Sequence, residues 1–213
     1  QILAAIISRH CDFVPVVSER FLNIPFIGFF LRMWHSVPVS DLKHGNRDPM
    51  VLSSMYKGVM DALAQKKSVI IYPSGQVSHS PKERILNKQG VYYIVCKLPD
   101  DIRVTGVRIS GLWGSMWSVA WKGHRPSFVF TYLKGFFYLL ANLIFFIPKR
   151  HVNIEFVDLS EQARIRCKNG RHAFNGFLED FYNINGAEKA SYIRHLFFLP
   201  HKRRIYPRNL TGS

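Results

Sequence analysis

Acidic residues are scarce in this 213-residue chain: 14 Asp+Glu stand against 29 Lys+Arg, a formal charge of +15. A surplus of that sign suits nucleic acid, anionic lipid headgroups or a phosphorylated substrate, unless an acidic domain elsewhere balances it. Cysteine is sparse too. Cys11, Cys96 and Cys167 lie far apart with no C-x-x-C pair. That argues against a zinc site or a disulfide framework and for buried free thiols in a reducing compartment. The sequence shows no internal repeat and no low-complexity linker, and its length suffices for one large domain with a sizeable core. It lacks an initiator Met and a recognisable closing signal, so both ends read as cuts through a longer protein. Apolar residues, by contrast, are plentiful. A hydrophobic share of 47% excludes a disordered chain, and a 14% aromatic share with 17 Phe calls for some apolar surface or solvent.

Strand and helix signals alternate along the chain. Residues 13–17 (Phe-Val-Pro-Val-Val) and 36–40 (Ser-Val-Pro-Val-Ser) read as short strands. Asp48 and Pro49 make a helix start, a carboxylate N-cap before proline at the first helical position. Val51, Leu52, Met55, Val59, Ala62 and Leu63 follow at helical spacing and predict one buried face. Residues 69–72 (Val-Ile-Ile-Tyr) are apolar on both sides, as in an inner strand of a parallel sheet. Residues 102–109 and 152–157 supply further strands, and residues 171–199 read as one or two helices with Phe174, Phe177, Leu178 and Phe181 on one face. The expected fold class is α/β, with a mixed, largely parallel central sheet flanked by helices.

Residues 128–147 are apolar apart from Lys134. A spanning helix needs about 20 mostly apolar residues, and a mid-bilayer Lys costs roughly 2.5–3.5 kcal/mol. A clean transmembrane helix is therefore not expected. Two readings stay open: a fully buried core helix, or a segment dipping into a lipid surface with Lys149, Arg150 and His151 at the headgroups.

The strand at 69–72 runs into Pro73-Ser74-Gly75-Gln76-Val77, a turn whose backbone N–H groups suit an anion. Ile24-Pro25-Phe26-Ile27-Gly28 and a strand at 37–39 precede it. Lys88-Gln89-Gly90 and Val104-Thr105-Gly106-Val107-Arg108-Ile109 follow. This succession resembles the glycerol-phosphate and lysophospholipid acyltransferase family, whose blocks are H-x-x-x-x-D, G-x-x-x-I-x-R, F-P-E-G-T-R and a V-x-P-V-x-I strand. The resemblance covers roughly residues 1–123. It sets Tyr72 to Val77 at the third block, Lys88 and Gly90 at a Lys-x-Gly pair, and Val104 to Ile109 at the last block, with Gly106 for the usual Pro. The departures are Ser74 for Glu, Gln76 for Thr, Val77 for Arg, and Asp41 where a phosphate-binding Arg usually stands. Lys43, Arg47, Lys82, Arg84 and Lys88 are the nearby substitutes for phosphate binding.

The first block is missing. No His in the chain has an Asp five positions later, and the pairs His35/Asp41 and His10/Asp12 read as incidental. The family's spacing implies that the His, which would take the acceptor hydroxyl's proton, and the Asp that orients it lie just upstream of Gln1. The resemblance implies transfer of a fatty acyl group from acyl-CoA or acyl-carrier protein to a lysophospholipid or lysophosphatidate hydroxyl. No metal or bound cofactor is implied. Tyr72, Pro73, Ser74, Gly75, Gln76 and Lys88 would bind substrate. Residues 1–158 would form a partial acyltransferase domain and 159–213 its C-terminal helical extension, associated with the cytoplasmic face of a membrane. A catalytically inactive lipid- or partner-binding relative is the alternative. A nucleic-acid-binding module is a third reading, but no nucleic-acid partner is expected because the aromatics cluster in apolar runs away from most cations.

Overall fold

The computed structural model describes residues 2–24, 27–34, 36–39, 49–201 and 204–211. Asp48, His35, Asp41, Lys43 and Arg47 lie outside the described residues, as do Pro25, Phe26 and Ser40 of the segments named above. The chain is mixed α/β and divides into two compact units, residues 1–75 with 88–99 and residues 76–87 with 100–213. Residues on both sides of position 158 belong to the second unit.

The first unit contains α1 (Ile2–Ile7), β1 (Phe13–Ser18), α2 (Glu19–Leu22), α3 (Ile27–Met33), β2 (Val37–Val39), α4 (Pro49–Ala64), β3 (Ser68–Ile70) and α5 (Gly90–Val95). Its sheet is parallel, in the order β2-β1-β3. The two partners hold different halves of β1. Phe13, Val14 and Pro15 pair with β3, whereas Val16, Val17 and Ser18 pair with β2. Pro15, which has no N–H to donate, therefore sits where one ladder gives way to the other. The periodic face of α4 is buried as expected. Met55 and Val59 pack with Ile94 of α5, and Ala62 packs with Val14 and Val37 of the sheet. β3 ends two residues before Tyr72 and lies at the sheet's edge, with Val69 and Ile70 only half-buried.

The second unit contains β4 (Thr105–Ser110), α6 (Phe128–Ala141), β5 (Asn153–Asp158), α7 (Ser160–Lys168) and α8 (Gly170–Tyr182). A single, largely parallel sheet is not what forms: β4 and β5 pair with each other, antiparallel, with Gly106 opposite Val157. Apolar patterning marks a strand but does not choose its partner. Gly106 is buried because its missing side chain is replaced by Phe181 of α8 and by Leu159, the residue before α7; a Cβ there would lie 2.4 Å from Leu159 Cδ1 and 2.7 Å from Phe181 Cζ. Arg108 binds the Glu155 carboxylate at 2.7 and 3.1 Å, donates to the Phe181 carbonyl and lies over the Phe181 ring. Phe174, Leu178 and Phe181 are buried on one face of α8, as the spacing predicted. The helical reading of residues 171–199 fails beyond Tyr182, where the chain continues without helix to residue 201.

The cysteine expectation is overturned. Cys11 is free but exposed, Cys96 is exposed, Cys167 is half-buried, and both Cys96 and Cys167 are disulfide-bonded.

Candidate functional site

The turn after β3 forms as a closed loop. The Gly75 N–H donates to the Tyr72 carbonyl at 3.0 Å, with Pro73 and Ser74 at the corner. Proline pre-sets the first corner residue, and Gly75 takes a φ of +61°, a conformation that disfavours any side chain. Nothing lies within 4 Å of the position a Gly75 Cβ would take, so backbone conformation alone accounts for glycine there. One N–H expected to face an anion is thus already bonded within the turn. Tyr72 is 55% exposed, and partial desolvation pushes its phenol up from the ordinary value.

The other predicted site residues are distributed between the units. Lys88 is exposed ahead of α5 in the first unit, and Gln76 belongs to the second. Gln76 Oε1 accepts from Arg125 Nη2 at 3.2 Å, and Arg125 Nε donates to His79 Nε2 at 2.8 Å. Sequence reasoning missed Arg125 and His79; their separation of 46 positions carries no motif. Lys82 and Arg84 are exposed on a loop held to α8. In that loop the Ile85 and Leu86 N–H groups donate to Glu179, and the Glu83 N–H donates to Asn183 Oδ1. Burial, with Glu188 as a lesser cause, pushes the Glu83 carboxyl up. Burial likewise carries the Tyr182 phenol to about 12, with Glu83 adding to it. Among the described residues no cluster of three or more His, Cys, Asp or Glu is arranged to hold a metal ion.

α6 and the segment that follows it form a long exposed apolar surface rather than a core helix. Val129, Phe130, Leu133, Phe136, Phe137 and Leu140 are exposed along one stripe, and Leu143, Ile144, Phe145, Phe146 and Ile147 continue it. The opposite stripe is the more polar one. Thr131 and Asn142 are buried, and Lys134 and Tyr138 are half-buried. Lys134 Nζ lies 5.6 Å from the centroid of the Tyr138 ring, so its charge stays off the apolar face. The helix therefore reverses the usual amphipathic order of a water-facing surface helix, polar inward and apolar outward. Among the described residues no helix is long and apolar enough to cross a membrane.

Of the three residues expected at headgroups, Lys149 and His151 are exposed, but Arg150 is not available. Its guanidinium donates to the carbonyls of Gly111 and Ser191 at 2.7 and 2.8 Å. The Gly- and Trp-rich turn at residues 111–117 is packed through Trp113. Glu188 Oε1 accepts from the Gly111 and Trp113 N–H groups, and Trp113 is buried with Val119 and Ala120. Arg204 lies 3.4 Å from the centroid of the Trp121 ring and donates to the Trp121 carbonyl.

Comparison of the chain with protein-family models, with characterised proteins and with solved structures returns no match.

Proposed function

We propose that this chain is part of a lysophospholipid acyltransferase that works at a membrane surface, with a fold of the glycerolipid acyltransferase type. The observation that carries the membrane half is the reversed helix α6, whose exposed stripe is continuous hydrocarbon and aromatic surface. Water does not stabilise such a face, whereas the acyl region of a bilayer does. The acyl-transfer half is carried by the order of the sequence blocks. A parallel sheet with the Tyr72-to-Gly75 turn directly after one strand accords with it. In this reading the turn and Lys88 shape the acceptor pocket. The acyl group comes from acyl-CoA or acyl-carrier protein, and the proton is taken by a His oriented by an Asp.

The altered third block, with Ser74, Gln76 and Val77, favours one second reading: a relative that binds lipid without catalysis. The coding sequence immediately before Gln1 separates the two. His, four residues and Asp ending beside Gln1 are expected from the acyltransferase reading. Their absence would leave the lipid-binding reading in its place.

A further inference from the structure

The apolar surface of the second unit has a second component, reached from a distant part of the sequence. Residues 196–201 return to the end of α6, where Asn142 fixes them. Asn142 Nδ2 donates to the His195 carbonyl at 2.7 Å and to the Tyr138 carbonyl at 2.6 Å, while its Oδ1 accepts from the Phe197 N–H at 2.8 Å. The rings of Phe146 and Phe197 stack at 4.7 Å. Phe198 and Leu199 are exposed beside them, and Phe145 is 89% exposed. The turn-out from α6 is itself strained. Leu143 and Ile144 take φ values of +50° and +63°, and for a β-branched residue such a value is an outlier. The chain holds two adjacent non-glycine residues in the left-handed region and presents bare apolar side chains as a result.

Both apolar segments are flanked closely by basic residues. Lys149 follows Ile147 by two residues, Arg194 precedes Phe197 by three, and His201 follows Leu199 by two. Lys149, Arg194 and His201 line a single open cavity of about 480 Å³ with Pro148, Tyr192 and Ile193. Among the described residues no carboxylate lines it. His201 Nε2 lies 3.1 Å from the Tyr192 carbonyl, which holds that ring in place. Hydrocarbon side chains next to a cavity lined by Lys149 and Arg194 match the two parts of an anionic phospholipid in a bilayer.

We propose that the Lys149–Arg194–His201 cavity binds the phosphate of an anionic phospholipid in the membrane surface while the segments 143–147 and 198–199 insert beside it. This deepens the reading above. It rests on the membrane-surface part of that reading and is independent of acyl transfer. The site selects the membrane; it is not the acceptor pocket.

The test is co-sedimentation of the full chain with vesicles of phosphatidylcholine alone and with about a quarter phosphatidylglycerol. Wild type is expected to prefer the anionic vesicles and to keep that preference in millimolar inorganic phosphate. Lys149→Ala with Arg194→Ala is expected to lower partitioning to anionic vesicles about twenty-five-fold, about fivefold per cation, and to leave neutral vesicles unaffected. Phe145→Asp should lose binding to both. These side chains are exposed, so unchanged unfolding midpoints will show that the variants are folded. The proposal is overturned if wild type shows no anionic preference, if the double variant keeps it, if phosphate alone abolishes it, or if Phe145→Asp binds as wild type does. An acyl-transfer assay on detergent-dispersed substrate fails or succeeds separately, so loss of one reading is distinguishable from loss of the other.

Discussion

Asn142 is the residue on which the arrangement of the apolar surface depends most, and its replacement has a calculable outcome. It is 1% exposed and satisfies three backbone groups, the carbonyls of Tyr138 and His195 and the N–H of Phe197. The Tyr138 carbonyl also accepts the Asn142 backbone N–H at 3.1 Å, so it keeps a partner in any variant. Asn142→Ala therefore strips two groups. Each partly buried orphan costs about 1 kcal/mol or somewhat more, and the vacated volume adds to that, for a total of about 2–4 kcal/mol. Asn142→Asp keeps the acceptor for Phe197 but sets a buried carboxylate against two carbonyl oxygens. It should cost more, about 3–5 kcal/mol. Its carboxyl pKa must then rise in the folded state, so stability is regained as pH falls and the group protonates, because a protonated carboxyl can again donate. The assay is urea unfolding followed by tryptophan fluorescence, since Trp113, Trp117 and Trp121 all belong to the second unit. Amide exchange at Phe197 is the local readout. An Asn142→Ala variant within about 0.5 kcal/mol of wild type would refute the reasoning.

Two further outcomes follow from packing and charge. Gly106→Ala drives a methyl group into Leu159 and Phe181 and should destabilise the second unit by about 1–3 kcal/mol in the same assay; a neutral result would mean those side chains move aside freely. His195 is stacked on Trp121 at 4.7 Å and lies 4.9 Å from Tyr138, with Nε2 buried and unpartnered. Burial holds its pKa below the ordinary value, and Lys134, Arg150 and Arg204 push the same way, against a backbone hydrogen bond at Arg194. The unfolded chain thus binds the proton more readily. The contribution of this group is fully present above about pH 6.5 and is lost as pH falls through the folded pKa. His195→Phe should flatten the fall in melting temperature on acidification, and an unchanged profile would contradict this.

Local periodicity made several elements legible. Val51 to Leu63 gave the buried face of α4, and the short β-branched runs marked β1 and β2 as strands. Pairing was less accessible. Residues 105–110 and 153–158 have strand composition, but composition does not say that each takes the other as its antiparallel partner. Residues 183–199 carry enough apolar side chains to suggest a helix. The backbone groups of His195 and Phe197 are instead bonded by Asn142, and the Phe197 ring stacks on Phe146, a tertiary effect that no window of residues contains. The candidate site divides in the same way. The Tyr72-to-Gly75 turn was readable from Pro and Gly, whereas the Gln76–Arg125–His79 contacts and the gathering of Arg194 and His201 with Lys149 come from the fold.

The most direct test of the central claim is acyl transfer itself. The gene product would be given labelled acyl-CoA or acyl-carrier protein with a panel of lysophospholipids, and the products separated by headgroup. Labelled diacyl phospholipid formed from at least one acceptor is the predicted result. A folded protein that binds vesicles but labels no acceptor from either donor would contradict the claim.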